Sequence, residues 1–288
     1  MSIQNPVEWG VERLKLAFVK MESVNRGLLP AEQSIDSALP VIRRIGITDL
    51  RDVLARGFDD FGANRTDVIF LCVFYPAIGL LLASLAAEHR MLPLLFPLIS
   101  GFALVGPFAG VGLNEMSRRR ELGIGKGWMD AFRVLQSPSI GAIFLLGLVL
   151  AGIHLAWLIV AYTIYKATIG PQPLASANTF LHEVFLTTPG HQMIVVGIGA
   201  GFLFAVVVLV ISSVAFPLLL DRQVGIETAV KTSIQAARAN PGPMAVWGMI
   251  IAAGLVIGSI PLFVGLIVIL PVLGHSTWHL YRKMVVPR

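Results

Sequence analysis

Six apolar runs alternate with short polar segments along the chain: residues 66–87, 92–116, 139–166, 191–219, 244–260 and 262–281. A helix needs about 20 apolar residues to cross a hydrocarbon core. The pattern therefore predicts an all-α polytopic membrane helix bundle, with six transmembrane helices arranged as three hairpins. The fifth and sixth runs share only residues 244–281. At about 1.5 Å of rise per residue two crossings just fit, and a re-entrant hairpin stays open as the alternative.

A polar, amphipathic segment precedes each hairpin, over residues 47–67, 127–141 and 225–243. Each begins with a glycine-associated turn and a carboxylate: Asp49, Asp130 or Glu227. An acid in a first helical turn is favoured by the unpaired amides there. The second and third segments reach Ser-Pro and Asn-Pro before the apolar run, where a helix has to stop. These units predict short interfacial helices and three pseudo-repeats, 46–116, 125–220 and 224–283. The ends of the first and third also align: residues 106–119 against 270–283 place Pro107 with Pro271, Gly110 with Gly274 and Glu115 with His279.

Ahead of this membrane domain (46–288), residues 1–45 form an appendage. Val7, Val11, Leu14, Phe18 and Met21 recur at helical spacing, and a linker with Gly27, Pro30 and Pro40 follows. This opening is polar and charged, so no cleavable signal peptide is expected.

Composition agrees with a lipid-facing surface: 56% hydrophobic, 14% charged, mean hydropathy +0.78. The net charge of +5 could suggest a nucleic-acid partner, but the placement of the cations argues for topology instead. Nine Lys and Arg precede the first run, five separate the second from the third, three separate the fourth from the fifth, and three follow the sixth. Only Arg90 and Lys166 fall on the other side. The positive-inside rule then places both termini in the cytoplasm. Cys72 is the only cysteine, so neither an intrachain disulfide nor a thiolate cluster can form.

Ionisable groups inside a bilayer are costly and are functional candidates. Here they are His154 in the third run, His275 and His279 four apart in the sixth, Glu115 (with Asn114) closing the second, Asp221 closing the fourth and Asp67 opening the first. Two histidines at i and i+4 can hold a metal or a haem, but no third ligand has a recognisable spacing. Helical rise puts His154 about 22 Å and His275 about 12 Å from the basic side, at unlike depths for the two axial ligands of one haem. The pattern therefore calls for no cofactor and no metal. Glu115, Asp221, Asp67, His275 and His279 share the basic ends of the helices, and with Asn64 and Asn240 they would form a polar ring that docks the interfacial helices. A proton- or solute-binding vestibule is the alternative. Of the outer residues 167–190, the stretch TFLHEVFLTTPG reads as a short helix; His182 there, with His191 just after it, reads as exposed. No phosphate-binding loop, HExxH or GxSxG occurs, so no catalytic residues are assigned. Glycines four apart (Gly106/Gly110, Gly197/Gly201, Gly254/Gly258) let helices approach closely, within the bundle or across a homo-oligomer.

RRIGITDLRDVLARGFDDFGANRTD, FPLLLDRQVGIETAVKTS followed by NPGPMAVWG, and LPVLGHSTWHLYRK resemble the family called domain of unknown function 2189. Its members are predicted bacterial integral membrane proteins, and the likeness runs over about residues 40–285. Some are labelled cytochrome c oxidase subunit I, which would imply haem and copper; the spans here offer only His154, His275 and His279 as ligands. The resemblance implies a bacterial inner-membrane location and an accessory role beside a respiratory complex. The expectation is thus a non-enzymatic structural or assembly component, with lipid and other membrane proteins as partners and no nucleic acid. A small-solute or proton-coupled transporter and a haem-binding respiratory component are the competing readings.

Overall fold

The computed structural model describes residues 40–63, 84, 92–125, 127–170, 177–261 and 263–287. The amphipathic stretch from Val7 to Met21, the first apolar run except Ser84, and Asn64, Asp67 and Cys72 lie outside them. Among the described residues the regular structure is helical, apart from one isolated bridge between Ile42 and Val285.

Helix α1 (Asp49–Ala63) follows a turn in which Asp49 Oδ2 accepts the amide of Gly46 at 2.8 Å. Its buried positions, Leu50, Val53, Gly57, Asp60 and Phe61, make one face at helical spacing. The second apolar run is divided: α2 (Leu92–Ala109) gives way at Gly110 to α3 (Val111–Glu121). Pro107, inside α2, has no amide to continue the ladder.

The segment expected to form the second interfacial helix is a 3-10 helix, Trp128–Gln136, rather than an α-helix. It starts at Gly127, whose φ of 123° suits glycine. Asp130 N donates to Gly127 O and Ser137 N to Val134 O, both at 3.0 Å. Residues three apart eclipse in this geometry, so Met129, Phe132 and Leu135 form one exposed apolar ridge while Ala131 and Val134 form a buried one.

Then follow α4 (Ile140–Thr168), α5 (Ala177–Leu186), α6 (Thr188–Ser212), α7 (Ala215–Asp221), α8 (Ile226–Ala239), α9 (Pro241–Ser259) and α10 (Leu266–Met284). Among the described residues three helical stretches are long and apolar enough to cross a membrane: Ile140–Thr168, Thr188–Asp221 and Pro241–Ser259. Their apolar side chains face outward. Leu155 and Ile159 on α4, Val195, Phe202 and Leu203 on α6, and Val256 and Ile257 on α9 are all exposed. An apolar surface of that extent suits lipid, not water. The last helix differs from the sixth apolar run. Its turns from His275 onward are largely buried among polar neighbours. Leu266–Gly274 remains as its apolar part, about 13 Å of rise against a core of about 30 Å.

The buried core sits at the basic end of the bundle. Phe216, Leu218 and Leu219 of α7, Trp247 of α9, Trp278, Leu280, Tyr281 and Met284 of α10, and Ile143, Leu146 and Leu150 of α4 belong to it. A break between α6 and α7 lets the chain turn into this core. In an unbroken helix Val214 N would donate to Val210 O; here the Ser233 hydroxyl of α8 sits between them, accepting from Val214 N at 3.2 Å and donating to Val210 O at 2.7 Å. Side chains inserted into the ladder are a recognised cause of such breaks. Ser233→Ala should cost about 1–3 kcal/mol, since the buried Val214 amide and the part-buried Val210 carbonyl both lose their partner. Thermal unfolding of the purified protein in detergent would measure it.

Most of the paired glycines pack within the chain. A Cβ on Gly201 would lie 3.2 Å from Trp157 Cη2, one on Gly258 2.6 Å from Leu266 Cδ2, and one on Gly110 4.0 Å from Gly274 Cα. Gly106 and Gly197 have nothing within 4 Å. The contact between Gly110 and Gly274 joins two positions that the sequence alignment made equivalent.

Candidate functional site

Helix α10 packs more extensively on α1 than on any other described element, and their interface holds a polar network centred on Asp60. The α1 pattern places Asp60 on the same face as Leu50, Val53 and Phe61, which buries a carboxylate (6% exposed). A buried charge must be compensated, and Ser117, His279 and Arg120 are among the groups that do so here. Ser117 of α3 donates to Asp60 Oδ2 at 2.5 Å. His279 Nε2 lies 2.9 Å from the same oxygen. Arg120 Nη1 reaches Oδ1 at 2.5 Å. Burial pushes the Asp60 carboxyl up, but the hydrogen bonds from His279 and Ser117 outweigh it and hold the group below the ordinary aspartate value.

His275 extends the network inward. Its Nδ1 is 2.8 Å from Ser117 Oγ. The only proton on Ser117 Oγ goes to Asp60, so hydrogen-bond accounting assigns the His275 proton to Nδ1. The ring is fully buried, and its Nε2 meets no hydrogen-bond partner among the described residues.

A second cluster adjoins the first. Tyr281 OH donates to Asp221 Oδ2 at 2.5 Å. Arg282 Nη2 pairs with Glu121 Oε1 at 2.8 Å and its Nη1 approaches Asp221 at 3.8 Å. Trp278 Nε1 donates to Glu121 Oε2 at 2.8 Å. Trp278 and Tyr281 belong to this buried cluster. Farther out, Lys283 bridges Asp49 (3.4 Å) and Asp52 (3.0 Å). These groups are more than a third exposed or nearly so, and such pairs contribute little to stability.

Glu115 belongs to a different set. Arg118 grips it with two bonds of 2.7 and 2.9 Å, and Arg119 links it to Asp130 of the 3-10 helix at 3.0 Å. Asn240 ties the chain entering α1 to the junction of α8 and α9: its Oδ1 accepts Ile45 N at 2.7 Å and its Nδ2 donates to Arg43 O at 3.1 Å and Ala236 O at 3.0 Å. His154 takes no part; its imidazole fills the space a Cβ on Gly101 would need, 1.8 Å from Cε1. His191 lies 2.9 Å from Phe185 O beside α5, and His182 is exposed.

The structure thus brings His275 and His279 together with Asp60, and Asp221 with Tyr281, while Glu115 and His154 stand apart. Among the described residues no three His, Cys, Asp or Glu side chains form a metal-holding group. A cleft of about 470 Å³ opens over the network, lined by Arg56, Asp59, Asp60, Ser117, Arg120 and His279, among others. Asp60 and Ser117, the centre of the arrangement, were not singled out in the sequence. The signal was there for Asp60, an acid at an apolar-face position of α1; Ser117 carried none.

The family model described as a predicted integral membrane protein, DUF2189, matches residues 95–221, somewhat less than half of the chain. That range runs from within α2 to the end of α7 and closes with FPLLLD. No curated protein matches the chain. No solved structure matches it either.

Proposed function

We propose that this integral membrane protein is a non-enzymatic structural or accessory component, anchored by its apolar helices and presenting a rigid polar collar to the cytoplasm. The observation that carries this reading is the pairing of the charged groups at the basic end with one another. Asp60 with Arg120 and Glu121 with Arg282 join residues distant in sequence, and Asp130 with Arg119 joins the 3-10 helix to α3. Interactions spent in this way fix a surface. The cation distribution supports a cytoplasmic collar with both termini inside, in a bacterial inner membrane as the family resemblance implies. The re-entrant hairpin form of the last two apolar runs, the interfacial position of the Met129/Phe132/Leu135 ridge, and contacts with a second copy or a respiratory complex are parts of the same proposal.

A competing reading, a small-solute or proton-coupled transporter, draws on the 470 Å³ cleft. Two measurements separate them. Purification from native membranes in mild detergent should retain a stoichiometric membrane-protein partner, lost when collar charges such as Arg282 and Arg120 are replaced. Solute flux into proteoliposomes that disappears with the same replacements would instead establish the transporter and end the scaffold reading.

A further inference from the structure

His275, Ser117 and Asp60 form one continuous hydrogen-bonded chain from the bundle interior to the cleft. At the inner end, His275 Nε2 is sealed from solvent without a partner among the described residues. At the outer end, Asp60 and Ser117 line the cleft together with His279. The links are 2.8 Å from His275 Nδ1 to Ser117 Oγ and 2.5 Å from Ser117 Oγ to Asp60 Oδ2. A docking contact would need only the bonds around Asp60. It would not need a fully buried imidazole placed one hydroxyl deeper than Asp60.

We propose that His275, Ser117 and Asp60 are a proton relay linking the helix-bundle interior to the cleft at the basic end. The step balances without any redox partner. A hydronium ion that reaches the bundle interior gives its proton to Nε2 of neutral His275 and is left as water. The Nδ1 proton passes to Ser117 Oγ as the Ser117 hydroxyl proton passes to Asp60 Oδ2, and Asp60 releases it to water in the cleft. His275 is left neutral with its proton on Nε2; the reverse sequence loads the interior from outside. The charged and titratable groups facing His275 are Asp60 of α1, Arg120 of α3 and His279 of its own helix. Asp60 favours proton arrival at the imidazole. Arg120 and His279 oppose a lasting positive charge there and keep Asp60 ionised between transfers. Proton exchange of this kind does not depend on whether the collar carries a partner protein.

Solid-state NMR of the full chain in phosphatidylcholine liposomes, with isotope-labelled histidine and serine, tests this directly, because nitrogen shifts separate the two neutral tautomers. The His275 signal, identified by its through-space contact with a labelled serine, should be the Nδ1–H tautomer at about pH 7. On acidification through the ordinary aspartate range, about pH 4, and below it, this signal should change together with the appearance of a protonated-carboxyl infrared band that is absent in Asp60→Asn. In Ser117→Ala the carboxyl band should persist while the His275 change no longer accompanies it, and Ser117→Thr, which keeps the hydroxyl, should restore the coincidence. An Nε2–H tautomer at neutral pH overturns the relay on the wild type alone, whatever the variants do. An unaltered joint titration in Ser117→Ala overturns it as well.

Discussion

Asp60→Ala is expected to destabilise the protein by about 3–5 kcal/mol, the usual cost of removing one partner of a buried ion pair. Among the described partners the loss is concentrated on two. Ser117 and His279 are almost fully enclosed and would be left facing an apolar gap, whereas Arg120 is 43% exposed and can turn to water. Asp60→Asn should cost less, because its carbonyl can still accept from Ser117, although its amide group would confront His279 or Arg120. The pH dependence has a definite sign. A carboxyl held below its unfolded value binds fewer protons when folded, so its contribution is complete above the ordinary aspartate range, about pH 4, and is lost as the pH falls through that range to the lower folded value. Unfolding measured in detergent should therefore show a gap between wild type and Asp60→Asn that is full near neutrality and closes in acid. A gap that stays constant with pH would mean that Asp60 is not held ionised.

Much of this architecture could be read from periodicity. The third, fourth and fifth apolar runs reappear as α4, as α6 with α7, and as α9, because an apolar run of sufficient length has few alternatives to a helix in lipid. The interfacial segments at 47–67 and 225–243 also emerged as α1 and α8. The 3-10 geometry of 128–136 was not legible, since it depends on Gly127 and on the i→i+3 bonds that Asp130 N and Ser137 N make. Nor was the fate of α10, which looks like a membrane run in composition but spends its second half packed against α1, where His275, Trp278 and Tyr281 find polar partners from other segments. The candidate residues were a mixture for the same reason. Asp221, His275 and His279 were singled out because ionisable groups stand out in apolar sequence; Ser117 and Asp60, the partners of the two histidines, sit in polar sequence, where only the apolar-face position of Asp60 sets it apart.

The interface that brings these groups together depends on Gly57, and Gly57→Leu should abolish the seating of α1 on α10. A Cβ at that position would stand 1.9 Å from Ser276 Oγ, 3.0 Å from Ser276 Cβ and 2.9 Å from the backbone carbonyl of Val272. Ser276 is wholly buried, so its hydroxyl has little room to move away, and the Val272 carbonyl is fixed in the helix. A single methyl already overpacks the site, so Gly57→Ala should cost about 1–3 kcal/mol, and the larger leucine more. Gly62 on the same helix provides the control: a Cβ there has nothing within 4 Å, so Gly62→Ala should stabilise by about 0.5–1 kcal/mol through helix propensity alone. Pairing Gly57→Ala with Ser276→Gly removes the two shortest side-chain obstacles. The double variant should recover part of the loss, with a coupling on the order of 1 kcal/mol between residues in contact. Strictly additive effects of the two substitutions on unfolding would show that α1 and α10 do not cross at Gly57, and the Asp60 network would then lose the geometry on which it rests.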